Sequence, residues 1–223
     1  MKHAKHVLAF GSEFTPDLLD RLRAKFEVTW IERPAAQGEA FAAALRAAHG
    51  LIGGRRFLET VPLDEASAPL LEAVATLSIG YDLFDFATLD RRGILLSNAP
   101  EAAAESTADL GFALLMAAAR RLAELDAWVR RGEWKTMAAD GLFGTSVHGK
   151  TLGIVGFGRI GQAVARRGHH GFGMPVLYHS RAPRGEDARP LGAAWRPLDT
   201  LLAEADFLCV TLALTPETRR FLG

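Results

Sequence analysis

The chain has 223 residues, of which 49% are hydrophobic and 23% charged, a composition typical of a globular protein with one large domain or two modest ones. Lysine plus arginine and aspartate plus glutamate are equal at 26 each, which argues against nucleic-acid or membrane-surface partners and favours a small-molecule ligand. The single cysteine excludes an intrachain disulfide, and no apolar stretch reaches the length of a signal segment or membrane span, so we expect a cytoplasmic protein.

The first hundred residues alternate short apolar runs with helical patterns, which is typical of an α/β domain with a mostly parallel sheet. Thr15 is a predicted N-cap with Pro16 at the first helical position, and a second predicted helix ends at Gly50. Five strands are predicted, at 7–10, 27–31, 51–54, 76–80 and 94–98. These elements predict one compact domain over 1–100.

The pattern changes in the second half of the chain. Residues 105–134 are apolar on most sides at first and amphipathic later, which predicts a long or broken helix that Gly132 ends. This helix could connect two domains, and its apolar excess could equally serve a dimer interface. A loop is predicted at 135–150, and a new βαβ series begins at Thr151. We therefore assign 101–223 to a second domain.

A glycine motif opens this second βαβ series. An apolar strand at 152–155 is followed directly by Gly156, Gly158 and Gly161, and then by a helical run. In a dinucleotide-binding turn the first glycine allows the tight turn, the second lets the backbone approach a pyrophosphate, and the third lets helix and strand pack closely. The helix N-terminus then offers N–H groups to the phosphates. The alternative is a tight turn that binds nothing.

The end of the next strand, at 175–180, indicates which dinucleotide would bind. A protein selective for NAD usually has an acid here, which accepts hydrogen bonds from the ribose 2′-hydroxyl. This chain has Ser180 followed by Arg181, with Arg184 nearby. A guanidinium can form paired, charge-assisted hydrogen bonds with a 2′-phosphate, so the sequence favours NADPH over NADH. The alternative is that Arg181 is a solvated surface residue.

Five segments in order resemble the D-isomer-specific 2-hydroxyacid dehydrogenase family: 78–85 (SIGYDLFD), 91–101 (RRGILLSNAPE), 105–121, 151–181 with its glycine motif, and 207–222. Several stretches are most similar to the bacterial glyoxylate/hydroxypyruvate reductases, some of which also reduce 2-ketogluconate. The resemblance implies a two-domain α/β protein, with a flavodoxin-like substrate domain at 1–100 and a Rossmann dinucleotide-binding domain at 101–223 that is incomplete at its C-terminus.

The resemblance also implies a reaction and its binding residues. NADPH would reduce a small 2-oxo acid to the D-2-hydroxy acid, in a cleft between the domains of a protein that we expect to be a homodimer. Backbone N–H groups of Ile79 and Gly80 would hold the substrate carboxylate, and glycine exposes its amide to an anion without steric hindrance. The implied cofactor-binding residues, beside those of the glycine motif and the Ser180 region, are Thr107 near the nicotinamide, Arg159, Ile160 and Gly161 at the pyrophosphate, and Thr211, Leu212 and Ala213 beside the nicotinamide ribose.

Two features depart from the family pattern. Leu83 stands where the family commonly has asparagine. The family's catalytic arginine, glutamate and histidine follow the segment that corresponds to TPET at 215–218, and the sequence ends at Gly223, so we assign no catalytic residue within it. No cysteine or histidine cluster predicts a metal site. Two alternatives stay open: a relative acting on another substrate, such as 2-ketogluconate, a D-glycerate-type acid or phosphite, and a nucleotide-binding module without turnover.

Overall fold

The computed structural model describes residues 5–36, 38–58, 60–82, 84–101, 103–135 and 140–221. The chain divides into two compact units, residues 1–102 and 103–223, beside the predicted boundary at residue 100. The assignment of the first unit to substrate and of the second to cofactor stays a prediction, and Leu83 lies outside the described residues. Among the helices that the structure describes, none combines the length and apolar character needed to cross a membrane.

The first unit is built around a parallel sheet with strand order β2-β1-β3-β4-β5. This is the order of flavodoxin-like folds, as predicted. Its elements in chain order are β1 (His6–Phe10), α1 (Pro16–Arg23), β2 (Glu27–Ile31), a 3-10 turn (Pro34–Ala36), α2 (Gly38–Ala47), β3 (Gly50–Gly53), α3 (Arg55–Leu58), β4 (Ala73–Thr76), α4 (Phe86–Arg92) and β5 (Leu95–Ser97).

Local signals explain where several of these elements begin and end. Thr15 caps α1 as predicted, because its side chain accepts a hydrogen bond from the Leu18 N–H at 3.4 Å. The predicted helix stop at Gly50 is wrong: α2 already ends at Ala47, and Gly50 pairs in the sheet. The predicted strand at 76–80 is also wrong, because the strand in register with β3 and β5 is β4 and residues 77–80 form the loop after it. That loop carries the predicted carboxylate-binding residues.

Apolar side chains from the sheet and its helices form the core of the first unit. Leu8, Leu51 and Val74, on three neighbouring strands, are almost completely buried. Phe10 and Phe41 pack edge to face, with ring centroids 5.5 Å apart. Burying aromatic and aliphatic side chains of this size is the main stabilising contribution in a domain of about a hundred residues.

The second unit contains a parallel sheet with strand order β8-β7-β6-β9. In chain order this reads third, second, first, fourth strand, which is the beginning of the Rossmann order and confirms the predicted fold class. Its elements are α5 (Ala104–Ala119), α6 (Leu122–Arg130), a 3-10 turn (Asp140–Leu142), β6 (Leu152–Val155), α7 (Arg159–Arg166), a π-type turn (Arg167–Gly171), β7 (Val176–His179), α8 (Gly185–Ala188), a 3-10 turn (Arg189–Leu191), β8 (Ala193–Trp195), α9 (Leu198–Glu204) and β9 (Phe207–Val210).

The predicted helix at 105–134 is broken rather than continuous. It splits into α5 and α6 at Arg121, whose φ of 52° lies in the left-handed region that non-glycine residues rarely adopt. The Arg121 guanidinium donates hydrogen bonds to Glu124 and to the Gly141 carbonyl, and these bonds hold the unusual conformation. Gly132, with a φ of 71°, follows the end of α6 as predicted.

Charged side chains join α5 to α7, the helix that follows the glycine motif. Arg167, only 23% exposed, donates from Nε to Asp109 Oδ1 at 2.8 Å and lies 3.0 Å from Glu105 Oε2. Arg166 pairs with the same glutamate. Partly buried, multiply bonded arginines contribute more to stability than exposed ion pairs do. The network therefore holds α7, and with it the glycine motif, in a defined position.

Candidate functional site

The glycine motif lies where the strand order of the second sheet reverses. β6 has β7 on one side and β9 on the other, and its carboxyl end carries the turn into α7. The Gly156 N–H donates to the His179 carbonyl of β7 at 2.9 Å, and the Thr211 N–H after β9 donates to the Val155 carbonyl at 2.8 Å. Ligands of open α/β sheets bind at this reversal, outside the carboxyl ends of the strands.

Gly156 is required by the conformation of the turn. Its φ is 96°, and a Cβ there would lie 2.8 Å from the Thr211 carbonyl oxygen. The Thr211 hydroxyl in turn donates to the Gly156 carbonyl at 2.7 Å. Thr211, predicted to lie beside the cofactor, thus also fixes the turn from the β9 side.

Gly158 and Gly161 have different surroundings. A Cβ on Gly161 would collide with the Gly156 carbonyl oxygen, so this glycine permits close packing of α7 on the turn. A Cβ on Gly158 would meet nothing within 4 Å, so the backbone there is open on that side. Gly158 is the N-cap of α7 and has no side chain to accept the first helical N–H groups, those of Arg159 and Ile160. An open backbone beside uncapped donors fits the pyrophosphate of a dinucleotide.

The residues predicted to select the cofactor follow β7 directly. Ser180 comes immediately after His179, whose carbonyl is bonded to the glycine turn, so Ser180 and Arg181 lie beside that turn. The Ser180 hydroxyl donates to the Ala182 carbonyl at 2.7 Å, which leaves less of its donor capacity for a ligand than predicted. The Arg181 side chain is exposed. Of this pair, Arg181 therefore has the more accessible side chain.

Neighbouring acids modify the charge of this region. Arg184 Nη1 lies 3.6 Å from Asp187 Oδ2, so part of its charge is already balanced. The pKa of Glu217 is lowered, mainly by a hydrogen bond from Thr215 and to a smaller extent by the positive charge of Arg181. Glu217 is thus ionised at neutral pH, and its negative charge offsets part of the positive charge of Arg181.

Three other predicted residues are placed differently. Leu212 packs on the apolar cluster of Val155, Leu177 and Leu201, and the Ala213 carbonyl accepts a hydrogen bond from the Thr218 hydroxyl at 2.6 Å. Both follow β9 next to Thr211, so the glycine turn and this segment come together. Thr107 is exposed on the first turns of α5, and within the described residues the structure records no contact between it and the turn.

The loop after β4 in the first unit contains Ile79 and Gly80, both half-buried. The Asn98 side-chain amide donates to the Ile79 carbonyl at 2.7 Å, and the Ala99 N–H donates to the Ser78 carbonyl at 3.1 Å. These two bonds attach the loop to the chain that leaves β5. Sequence reasoning missed Asn98, because an asparagine after a strand carries no distinctive pattern of its own.

Asp85 has a local structural role. It caps α4, accepting hydrogen bonds at Oδ1 from the Thr88 N–H at 3.1 Å and at Oδ2 from the Thr88 hydroxyl at 2.7 Å. These bonds lower the pKa of the Asp85 carboxyl. An aspartate in this role favours the helix start, whatever else the loop binds.

Two histidine side chains have hydrogen-bond partners within their own units. His179 Nδ1 lies 3.0 Å from the Arg196 carbonyl, and His6 Nε2 lies 2.8 Å from the Thr29 hydroxyl, so both rings have structural partners. Within the same residues no group of three or more His, Cys, Asp or Glu side chains could hold a metal ion. Burial raises the pKa of the Cys209 thiol, which keeps it protonated and unreactive at neutral pH.

Comparison with known proteins identifies relatives of this chain. The sequence model of the D-isomer specific 2-hydroxyacid dehydrogenase NAD-binding domain matches residues 112–223. Glyoxylate/hydroxypyruvate reductase B of Yersinia enterocolitica is 44% identical over 208 residues, which cover 93% of this chain and 63% of the relative. The chain thus spans less than two thirds of the length of these curated relatives.

Solved structures show the same similarity in three dimensions. A glyoxylate reductase from Paecilomyes thermophila has a TM-score of 0.81 and 26% identity, and the match covers all of this chain and 69% of that one. The holo D-mandelate dehydrogenase of Rhodotorula graminis has a TM-score of 0.82 and 26% identity, with 97% of this chain and 68% of that one covered.

Proposed function

Since this chain belongs to the family of D-isomer-specific 2-hydroxyacid dehydrogenases, which are NAD(P)-dependent oxidoreductases, we propose that it forms the cofactor- and carboxylate-binding part of an NADPH-dependent reductase of small 2-oxo acids. The proposed substrates are glyoxylate and hydroxypyruvate, after the relatives at 44% and 46% identity that carry those names. The 63% coverage of these relatives makes the activity of the whole protein part of the proposal.

The observation that carries the proposal is the open glycine turn at the strand-order reversal of the second sheet. The N–H groups that begin α7 and the open backbone of Gly158 form a cradle for two phosphates. The bound dihydronicotinamide would supply the hydride that reduces the carbonyl carbon of the acid. The chain itself supplies the phosphate cradle and the Thr211 hydroxyl that fixes it.

The proposal also includes a preference for NADPH over NADH. The exposed Arg181 supports it, together with the lack of an acid directly after β7. A carboxylate at Ser180 would repel a 2′-phosphate, whereas the Arg181 guanidinium can donate two parallel hydrogen bonds to it.

Carboxylate binding is assigned to the Ile79–Gly80 loop of the first unit. Backbone N–H groups bind small anions well, since they present partial positive charge without a counter-charge of their own. Such a site selects for the carboxylate that glyoxylate and hydroxypyruvate share. It does not by itself distinguish between their side groups.

Binding and turnover are measured separately to test this function. Added to NADPH, the 223-residue protein should quench or shift nicotinamide fluorescence saturably, because the described cradle is present. With glyoxylate or hydroxypyruvate added, the absorbance of NADPH should fall at a rate far below the 1–1000 s⁻¹ typical of enzymes, since no acid or base is assigned. Absence of NADPH binding would refute the proposal, and fast turnover would refute the lack of catalytic residues.

A homodimer is also proposed, through the exposed face of α5. Leu110 and Leu114, one helical turn apart, are each 61% exposed, which is unusual for leucines on a helix in water. Sedimentation should give a dimer for the unchanged chain and a monomer for the Leu110→Glu, Leu114→Glu double variant. A control with Leu202→Glu, at another exposed leucine on α9, should stay dimeric. A monomer from the unchanged chain would contradict this proposal.

A further inference from the structure

In the loop that runs from the end of β4 to Gly80, the first two backbone N–H groups already have hydrogen-bond partners. The Leu77 N–H donates to the Gly53 carbonyl at 3.1 Å, and the Ser78 N–H donates to the Thr76 hydroxyl at 3.2 Å. Thr76 is itself 4% exposed. The start of the loop is therefore held by hydrogen bonds to the end of β3 and to the last residue of β4.

Two backbone donors of this loop are left over. Within the described residues, the structure assigns no hydrogen-bond partner to the N–H of Ile79 or of Gly80. Both residues are half-buried, so this part of the loop is neither fully enclosed nor fully exposed to solvent. Shielded, unpaired N–H groups are unfavourable unless a ligand or water accepts from them.

Asn98 determines the direction of one of these donors. The Ile79 carbonyl and the Gly80 N–H belong to one peptide group, which is planar and trans, so the two bonds point in opposite directions. The Asn98 side-chain amide holds that carbonyl at 2.7 Å. The Gly80 N–H is thereby directed away from Asn98. Donation to the carbonyl also polarises the peptide group and makes its N–H a stronger donor.

We propose that Asn98 is a positioning residue for carboxylate binding, acting through the peptide group between Ile79 and Gly80. The inference rests on the proposed function, because it takes the substrate carboxylate to accept from the Gly80 N–H. Asn98 does not touch the carboxylate in this scheme. Its hydrogen bond limits the rotation of the peptide group in the free protein. Fixing a freely rotating peptide group when the anion binds would otherwise cost part of the binding free energy.

Three variants of the full 223-residue chain test this role. Asn98→Leu has nearly the same shape but no donor, Asn98→Gln keeps an amide donor, and Ser97→Ala alters an exposed neighbour as the control. Each protein is titrated with oxamate, an unreactive analogue of a 2-oxo acid, in the presence of NADPH, while the Gly80 amide resonance is followed by NMR.

The expected results differ between the variants. Asn98→Leu should weaken oxamate binding about five- to tenfold, the effect of about one hydrogen bond. It should also move the unliganded Gly80 amide resonance toward the position of a less polarised amide. Asn98→Gln should restore most of the affinity, and Ser97→Ala should match the unchanged chain. Retained NADPH binding shows that the second unit of each variant is folded. Unchanged amide resonances of strands β1 to β4 in the same NMR spectra show that the first unit, which contains Asn98, is folded as well.

Each contrary result has a defined meaning. Equal oxamate affinity and an unmoved Gly80 resonance in Asn98→Leu would overturn the positioning role and leave the proposed function standing. Equal losses in Asn98→Leu and Asn98→Gln would also overturn it, because the loss would then not depend on the donor. If the unchanged chain binds NADPH but gives no oxamate-dependent shift, carboxylate binding at this loop is wrong and the inference falls with it.

Discussion

Replacing Gly158 by alanine should weaken dinucleotide binding by about 10- to 100-fold while leaving the protein folded. The added Cβ meets no atom of the protein within 4 Å, and the φ of −81° and ψ of −167° at this position are extended backbone that alanine adopts readily. The methyl group would instead occupy the space into which the pyrophosphate must come. Loss of one or two charge-assisted hydrogen bonds to the phosphates accounts for the expected range.

Two other glycines serve as matched controls. Gly156→Ala forces a side chain onto a φ of 96° and into the Thr211 carbonyl, so it should destabilise the second unit by more than about 1 kcal/mol. Gly171→Ala, where a Cβ is also unopposed, should change neither stability nor binding. Thermal unfolding and NADPH titration of all three variants separate these effects. Unchanged NADPH affinity in a folded Gly158→Ala protein would show that the turn is not a phosphate cradle.

The fold was largely predictable because its signals are local. Alternating apolar runs predict the parallel sheets, and the Thr15–Pro16 pair predicts the start of α1. The errors occur where pairing with neighbouring strands, and not the local sequence, determines which residues form a strand. β4 is a short strand of small residues that is stabilised by β3 and β5 on either side, whereas residues 77–80, which include the larger apolar Leu77 and Ile79, form a loop. A sequence pattern cannot show which of two adjacent segments finds partners in the sheet.

The glycine motif of the candidate site was predictable from the sequence. The side chains that hold the motif and the loop after β4 in place were not. Three glycines at fixed spacing predict the turn. Gly156 and Gly161 meet steric demands of the fold that only glycine satisfies, whereas Gly158 leaves the backbone open on one side. The Thr211 hydroxyl that fixes Gly156 and the Asn98 amide that holds Ile79 both come from residues distant in sequence. Likewise, the hydrogen bond from Ser180 to Ala182 and the pairing of Arg184 with Asp187 depend on loop conformation. Such contacts depend on the three-dimensional fold and leave no pattern in the sequence.

The cofactor preference should reverse in the double variant Ser180→Asp, Arg181→Ala. The new carboxylate directly after β7 can accept from a ribose 2′-hydroxyl and repels a 2′-phosphate, while removal of the guanidinium eliminates the paired donors. Each charge-assisted hydrogen bond contributes about 1.5–3 kcal/mol, so NADPH affinity should fall by at least about 100-fold while NADH affinity rises. Binding of both coenzymes to the unchanged and variant chains, measured side by side, gives the ratio directly.

The charged residues near Arg181 and Arg184 allow further tests of this cofactor preference. Arg184→Ala should weaken NADPH binding less than Arg181→Ala does, because Asp187 already balances part of the Arg184 charge. Glu217→Gln should strengthen NADPH binding and leave NADH unaffected, since it removes the acid that competes for Arg181. NADPH affinity of the unchanged chain should also fall more steeply with added salt than NADH affinity does, because the 2′-phosphate adds charge that salt screens. Equal salt dependence for the two coenzymes, together with an unchanged preference in the double variant, would show that the adenosine end binds away from Arg181.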